Sequence, residues 1–175
     1  NQIGGSSKVG NAVIPLGRLK GDQGLLVSES CEFNRSFHDH DPTYALIHNI
    51  EEDHLDYYQS LDAIIEAFKG FALNVPSEKD GGYLLIAHDG AHRQLITPGL
   101  TCKVESFGFH PEADYQVVFD PMVRRVGIMR DGMWTIQWTN SMLGSHNALN
   151  AVAAAILAVQ LGVDWEHIIE PLEQF

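Results

Sequence analysis

Apolar residues recur along the chain in two different periods. Short, nearly continuous apolar runs occur at GLLVSE (24–29), YALIHNI (44–50), GGYLLIAHD (81–89) and TCKVESFGF (101–109), each bounded by polar or turn-forming residues. Runs of this length and composition predict strands buried on both faces of a parallel sheet. In SLDAIIEAFKGFALNV (60–75) the period changes: Leu61, Ile64, Ile65, Phe68 and Ala72 lie three to four residues apart behind Ser60, with Asp62 in the first turn. That spacing predicts an amphipathic helix with Ser60 as its N-cap. Strand, helix, strand in this rhythm means βαβ units.

Beyond Glu112 the segments DYQVVFD, RRVGIMR and MWTIQWT alternate in part, and Asp131-Gly132 joins the last two as a hairpin turn. This predicts a small antiparallel insert. HNALNAVAAAILAVQLG (146–162) is helical again, with Ser145 as N-cap, six alanines that permit close packing on a sheet, and Gly162 suited to the C-cap. VDWEHIIEPLEQF predicts one more short helix, CEFNRSFHDHDP a turn or short helix, and the Gly- and Ser-rich NQIGGSSKVGNAVIPLG a loop. The fold class expected is α/β: a mostly parallel sheet flanked by helices, carrying a small antiparallel β insert, within one domain.

Charge narrows the partners. With 23 Asp plus Glu against 11 Lys plus Arg the net charge is -12, which argues against a nucleic-acid backbone as ligand. Two cysteines, Cys31 and Cys102, stand far apart outside any metal-binding spacing, so a reduced cytoplasmic protein is expected. No apolar run reaches the roughly 18 residues of a membrane span.

Ligands of open parallel sheets bind at the carboxyl ends of the strands. Glu29 ends one expected strand, and His54, in NIEEDHLDYY, lies just beyond another. A carboxylate with an imidazole can hold a divalent cation, although exposed loops are polar without one. His38, Asp39, His40 and Asp41 are adjacent, which points their side chains different ways, and a solvated turn is the better reading of that run. His146, Asn147 and Asn150 sit at the entry to the alanine-rich helix; they fit a first helical turn, or an amide edge pairing with adenine. No GxxxxGK[ST] phosphate loop is present.

Taken together, IGG and GNA near the start, VSESCEFNRSF (27–37), ALIHNIEEDHLDYY (45–58), FGF (107–109) and GSHNALNAVAAA (144–155) resemble the Mur ligases. The resemblance is densest to members that add L-alanine to UDP-N-acetylmuramate in peptidoglycan synthesis. It implies a bacterial ATP-dependent acid:amino-acid ligase that activates a carboxylate as an acyl phosphate, with Mg2+ held by Glu29 and His54 and with His146, Asn147 and Asn150 around the adenine of ATP. It also implies that residues 1–175 are part of a central domain. The phosphate loop and the domains for UDP-N-acetylmuramate and L-alanine would lie outside it, leaving the fragment inactive and one sheet edge open to self-association. Two other readings stay open: a metal-dependent hydrolase using His38 and His40, and a non-catalytic interaction module on the same fold.

Overall fold

A computed structural model describes residues 25–174 together with the backbone of residues 2 and 3. Most of the expected N-terminal loop, with its IGG and GNA motifs, lies outside those residues. Two short strands, β1 (Gln2–Ile3) and β2 (Val27–Ser28), pair antiparallel with each other and stand apart from the main sheet. The buried parallel strand expected over 24–29 is therefore not formed. Leu26 and Val27 are more than half exposed, because β2 pairs only with the two-residue β1 and, among the described residues, joins no strand of the main sheet that would bury it.

The main sheet has six strands in sequence order: β3 (Tyr44–Ile47), β4 (Tyr83–Ala87), β5 (Lys103–Gly108), β6 (Tyr115–Asp120), β7 (Arg125–Arg130) and β8 (Met133–Thr139). β3 to β6 are parallel; β6, β7 and β8 are antiparallel. β4 is buried along its whole length, as its unbroken apolar run requires. Parallel neighbours ordinarily need a crossover of a dozen or more residues. The link from β5 to β6 is far shorter because β6 begins level with the end of β5: only Phe107↔Tyr115 and Gly108↔Gln116 pair. The insert thus prolongs the sheet past the carboxyl end of β5. Asp131 and Gly132 both have positive φ, the backbone of a type I′ hairpin, between β7 and β8.

Helix α1 (Leu55–Tyr58) is a single turn, and α2 (Leu61–Leu73) starts as expected, with Ser60 Oγ accepting the amide of Ala63 at 3.2 Å. A second short helix, α3 (Arg93–Ile96), bridges β4 and β5. Ile64, Ile65, Ala67, Phe71 and Ala72 form the buried side of α2. On α4 (Ser145–Gln160) the buried positions include Ala148, Ala153 and Ala155, small enough for the helix to approach β5, β6 and β7. Gly162, at φ +92°, ends α4 as expected, with Val163 N donating to Ala158 O. The N-cap differs: Gly144 occupies it, and Ser145 is already helical. The C-terminal segment divides into a 3-10 turn, Trp165–His167, and α5 (Ile169–Gln174). At the free edge of β3 no strand pairs among the described residues.

The HDHD run is less solvated than expected. Residues 33–39 form a 3-10 segment interrupted by left-handed Asn34 and Arg35, Phe37 is in the core, and His38 Nε2 lies 2.7 Å from Ala67 O. Gly70 makes room for that ring, since a Cβ there would come 2.8 Å from His38 Cε1.

One buried carboxylate joins the parallel strands to the insert. Glu105 of β5 accepts from Tyr83 Oη at 2.9 Å, Tyr115 Oη at 3.3 Å and Arg130 Nη2 at 2.5 Å, with Lys103 Nζ at 3.2 Å. Burial pushes its pKa up, but hydrogen bonds from Tyr83, Arg130 and Lys103 and the charge of Arg130 outweigh that, so the carboxyl is held below its ordinary range. Arg130 and Lys103 keep about two-fifths of their side chains in water, which discounts the pair relative to a fully buried one. We expect Glu105→Gln to lower unfolding free energy by about 2–3 kcal/mol at pH 7. Because the folded pKa is depressed, this contribution is complete above the unfolded carboxylate pKa of about 4.3 and is lost as pH falls through the folded value. Urea titrations of both proteins are therefore expected to differ by a constant amount at neutral pH and to draw together progressively as pH falls below about 4.3.

Candidate active site

Strands β3, β4 and β5 end side by side, and their carboxyl ends open into a cavity of about 270 Å³. Ala87, Phe107, Phe109 and Leu149 supply apolar walls; His48, Asn49, Asp89, His146 and Asn150 supply the polar groups. Apolar walls with a few convergent polar groups suit a flat heteroaromatic ligand. The ring of His48 meets Phe107 edge-on at 5.4 Å, and burial pushes its pKa below the ordinary histidine value, leaving the ring neutral at pH 7. The loop ends are tied together by Ile50 N donating to Gly90 O at 2.9 Å and His88 N donating to Phe107 O at 2.7 Å.

A second cleft adjoins the first, lined by Glu32, Asn49, Ile50, Glu51, Glu52, Asp53, Ile64 and Phe68. Asn49 belongs to both, and its Nδ2 donates to Glu51 Oε1 at 3.0 Å. At the acidic cleft, ligand atoms of Glu32, Asp53 and His54 lie within 4.8 Å of one another. His54 Nε2 is 3.6 Å from Glu32 Oε1 and 3.7 Å from Asp53 Oδ2. His54 caps α1 with a left-handed backbone at φ +52°, a conformation that costs a non-glycine residue about 1 kcal/mol and is over-represented at working sites. Asp53 Oδ1 accepts from His54 N at 2.7 Å, which helps hold that conformation.

His54 therefore sits where a cation site was expected, but its carboxylate neighbours are Glu32 and Asp53. Glu29 is exposed, and no ion pair joins it to His54. The chain turns into the 3-10 segment just after Cys31, and Tyr58 Oη donates to Glu32 O, so Glu32 rather than Glu29 is carried onto α1. Phe33 packs its ring 5.0 Å from that of His54. Of the three residues expected around adenine, His146 and Asn150 line the cavity. Asn147 does not: its Nδ2 donates to Leu143 O at 2.7 Å, capping a carbonyl before the helix. Positions 146 and 150, one turn apart, share a face, whereas the adjacent position 147 points about 100° away from 146 and its amide is turned back to Leu143 O. His38 is committed to Ala67 O and lies in no cluster with His40, which removes the basis of the hydrolase reading.

Sequence reasoning missed Glu32, Asn49 and His48. Asn49 and His48 lie inside the quoted NIEEDHLDYY neighbourhood, at the end of a strand already read as buried, and that position was the available signal. Glu32 carried none.

Comparison with known proteins places the chain in a family. Residues 21–158 match the family model for the Mur ligase middle domain. The chain belongs to the Mur ligase family. The chain is 32% identical over 159 residues to the UDP-N-acetylmuramate--L-alanine ligase of Agathobacter rectalis, covering 89% of this chain and 34% of that protein. With the ligase of the same name from Desulforamulus reducens it shares 34% identity over 181 residues, covering 100% of this chain and 36% of that one. This Mur ligase chain thus spans about a third of the length of the curated relatives it matches. Among solved structures, the UDP-N-acetylmuramate:L-alanyl-gamma-D-glutamyl-meso-diaminopimelate ligase from Neisseria meningitides superimposes with a TM-score of 0.70 at 26% identity, over 80% of this chain and 42% of that one. Among the motifs that carry the Mur ligase resemblance, ALIHNIEEDHLDYY, FGF and GSHNALNAVAAA each supply residues to the cavity.

Gly144 decides where His146 points. Its φ is +97°, and a Cβ there would come 2.8 Å from His146 Cε1. We expect Gly144→Ala to drive the His146 ring off the cavity wall at a cost of about 1–2 kcal/mol in stability, read as a shift of the His146 ring resonances with the β-sheet signals unchanged.

Proposed function

We propose that this chain is a partial central domain, residues 1–175, of a bacterial, cytoplasmic ligase that uses ATP to join L-alanine to UDP-N-acetylmuramate in peptidoglycan synthesis. The observation that carries the reading is Asn49, the shared wall between the apolar cavity and the acidic cleft. A nucleotide and its cation need those two environments side by side. In this reading the adenine lies against Phe107 and Leu149, with Asn150 and His146 at its polar edge. Asn147 keeps the helix entry in place through Leu143 O.

The donor set fits Mg2+, which takes oxygen ligands, keeps several waters and needs an open site. Glu32, Asp53 and His54 offer two carboxylates and one ring nitrogen, all partly or fully exposed. Glu29, three residues before Glu32, remains the carboxylate named by the family resemblance. Bound there, the cation would neutralise charge on the phosphate oxygens during transfer. His54 contributes a fixed direction, because its backbone is held left-handed by Asp53. The edge of β3, unpaired among the described residues, is the place where a second copy could add a strand.

Adenosine is the direct probe, since it needs no phosphate loop. Titrated into the isotope-labelled chain, it is expected to shift the resonances of His146, Leu149 and Asn150. Asn150→Ala should weaken it about tenfold, equivalent to ~1.4 kcal/mol. Shifts confined to other regions would sink the adenine assignment. Supplied with ATP, Mg2+, UDP-N-acetylmuramate and L-alanine, the chain alone is expected to form no product. Ligation by it would overturn the partial-domain reading.

A further inference from the structure

A second group of ligand-type side chains lies on the adjacent strand ends, and the proposed reaction does not use it. His88 follows β4 and His110 follows β5. Their ligand atoms and one from Glu112 fall within 4.8 Å of one another. The backbones are held in line by the bond from His88 N to Phe107 O. Gly108 allows the approach, because a Cβ there would lie 3.2 Å from both His88 Cβ and Asp89 Oδ2.

The two imidazoles stack face to face at 4.6 Å with 9° between planes. His88 Nδ1 lies 3.3 Å from Asp89 Oδ1, the carboxylate contact that commonly orients a metal-bound imidazole and leaves Nε2 free to ligate. That lone pair is now loosely engaged by Arg93 Nη2 at 3.3 Å. Nδ1 of His110 takes the amide of Glu112 at 3.2 Å. Both contacts are at the long end of hydrogen bonding. Arg93 is itself poorly seated, since its Nε is buried without a hydrogen-bond partner among the described residues.

We propose that His88, His110 and Glu112 bind a transition-metal dication of the zinc class. Two imidazoles and one carboxylate suit Zn2+, Ni2+ or Cu2+ rather than Mg2+, and three protein ligands leave a fourth position open. On binding, Arg93 releases His88 Nε2. The exposed His110 ring rotates out of the stack so that both lone pairs meet one ion. The site borders the cavity, whose lining includes Asp89, Gly108 and Phe109. This proposal is independent of the nucleotide reading.

Calorimetric titration of the metal-free chain with Zn2+, and visible spectra with Co2+ as a stand-in, test it. One ion is expected, with ligand-field bands that excess Mg2+ does not remove. His110→Ala and Glu112→Gln change exposed residues, and circular dichroism checks that both stay folded. Each is expected to bind roughly tenfold or more weakly. His54→Ala and the double variant His38→Ala, His40→Ala are expected to bind as the unmodified chain does. Absence of Zn2+ binding, unchanged affinity in His110→Ala and Glu112→Gln, or loss of binding in His54→Ala alone would overturn the proposal.

Discussion

The Glu105 carboxylate is the constraint on which the rest of the architecture depends. It takes hydrogen bonds from Tyr83 on β4, Tyr115 on β6 and Arg130 on β7 while itself sitting on β5. Ladder pairing between β5 and β6 is confined to two residue pairs, too few to set the insert's angle alone. The carboxylate supplies what that pairing lacks. Arg130 adds a second contact by stacking its guanidinium 4.5 Å from the centre of the Tyr115 ring. Removing the carboxylate would leave two buried tyrosine hydroxyls without their acceptor and the half-exposed Arg130 and Lys103 without a counter-charge, and for that reason the cluster acts as a unit.

The influence of that cluster reaches the other end of the sheet through α4. Gln160, in the last turn, donates to Tyr115 Oη at 3.4 Å, while His146, Leu149 and Asn150 near its start form a cavity wall. A helix seated by small residues on the sheet and bonded near its far end behaves as a rigid lever. The direction of the cavity wall is therefore set partly by a polar cluster with no side chain in the cavity.

Much of this was legible in the chain. β4 is an unbroken apolar run, α2 has a three-to-four residue period behind a serine cap, and Asp131-Gly132 marks a hairpin; each is a local signal that the structure keeps. What was not legible depends on which residues meet across space. Val27 is in a strand as its run suggests, but it pairs antiparallel with Ile3 outside the main sheet, and sequence pattern carries no information about which partner a strand takes. His146, Asn147 and Asn150 form one motif, but the Asn147 amide is spent on Leu143 O while the other two line the cavity. Glu29 and Glu32 are alike in type and three residues apart; only the turn after Cys31 and the Tyr58 hydroxyl distinguish them.

The seven residues from His48 to His54 join the two clefts, and their conformation explains why the clefts keep a fixed relation. Ile50 lies in the middle, buried in the core and bonded through its amide to Gly90 O. It divides the loop into a half that faces the apolar cavity, with His48, and a half that faces the acidic cleft, with Asp53 and His54. A free loop of this length would lose the distance between its ends to conformational averaging. With its centre anchored in the core, and with His54 locked left-handed by Asp53, each half has few conformations left. In the proposed reading, positioning of a base relative to a cation, on which phosphoryl transfer depends most, would thus come from a buried isoleucine and a backbone hydrogen bond as much as from the groups that would touch the ligand.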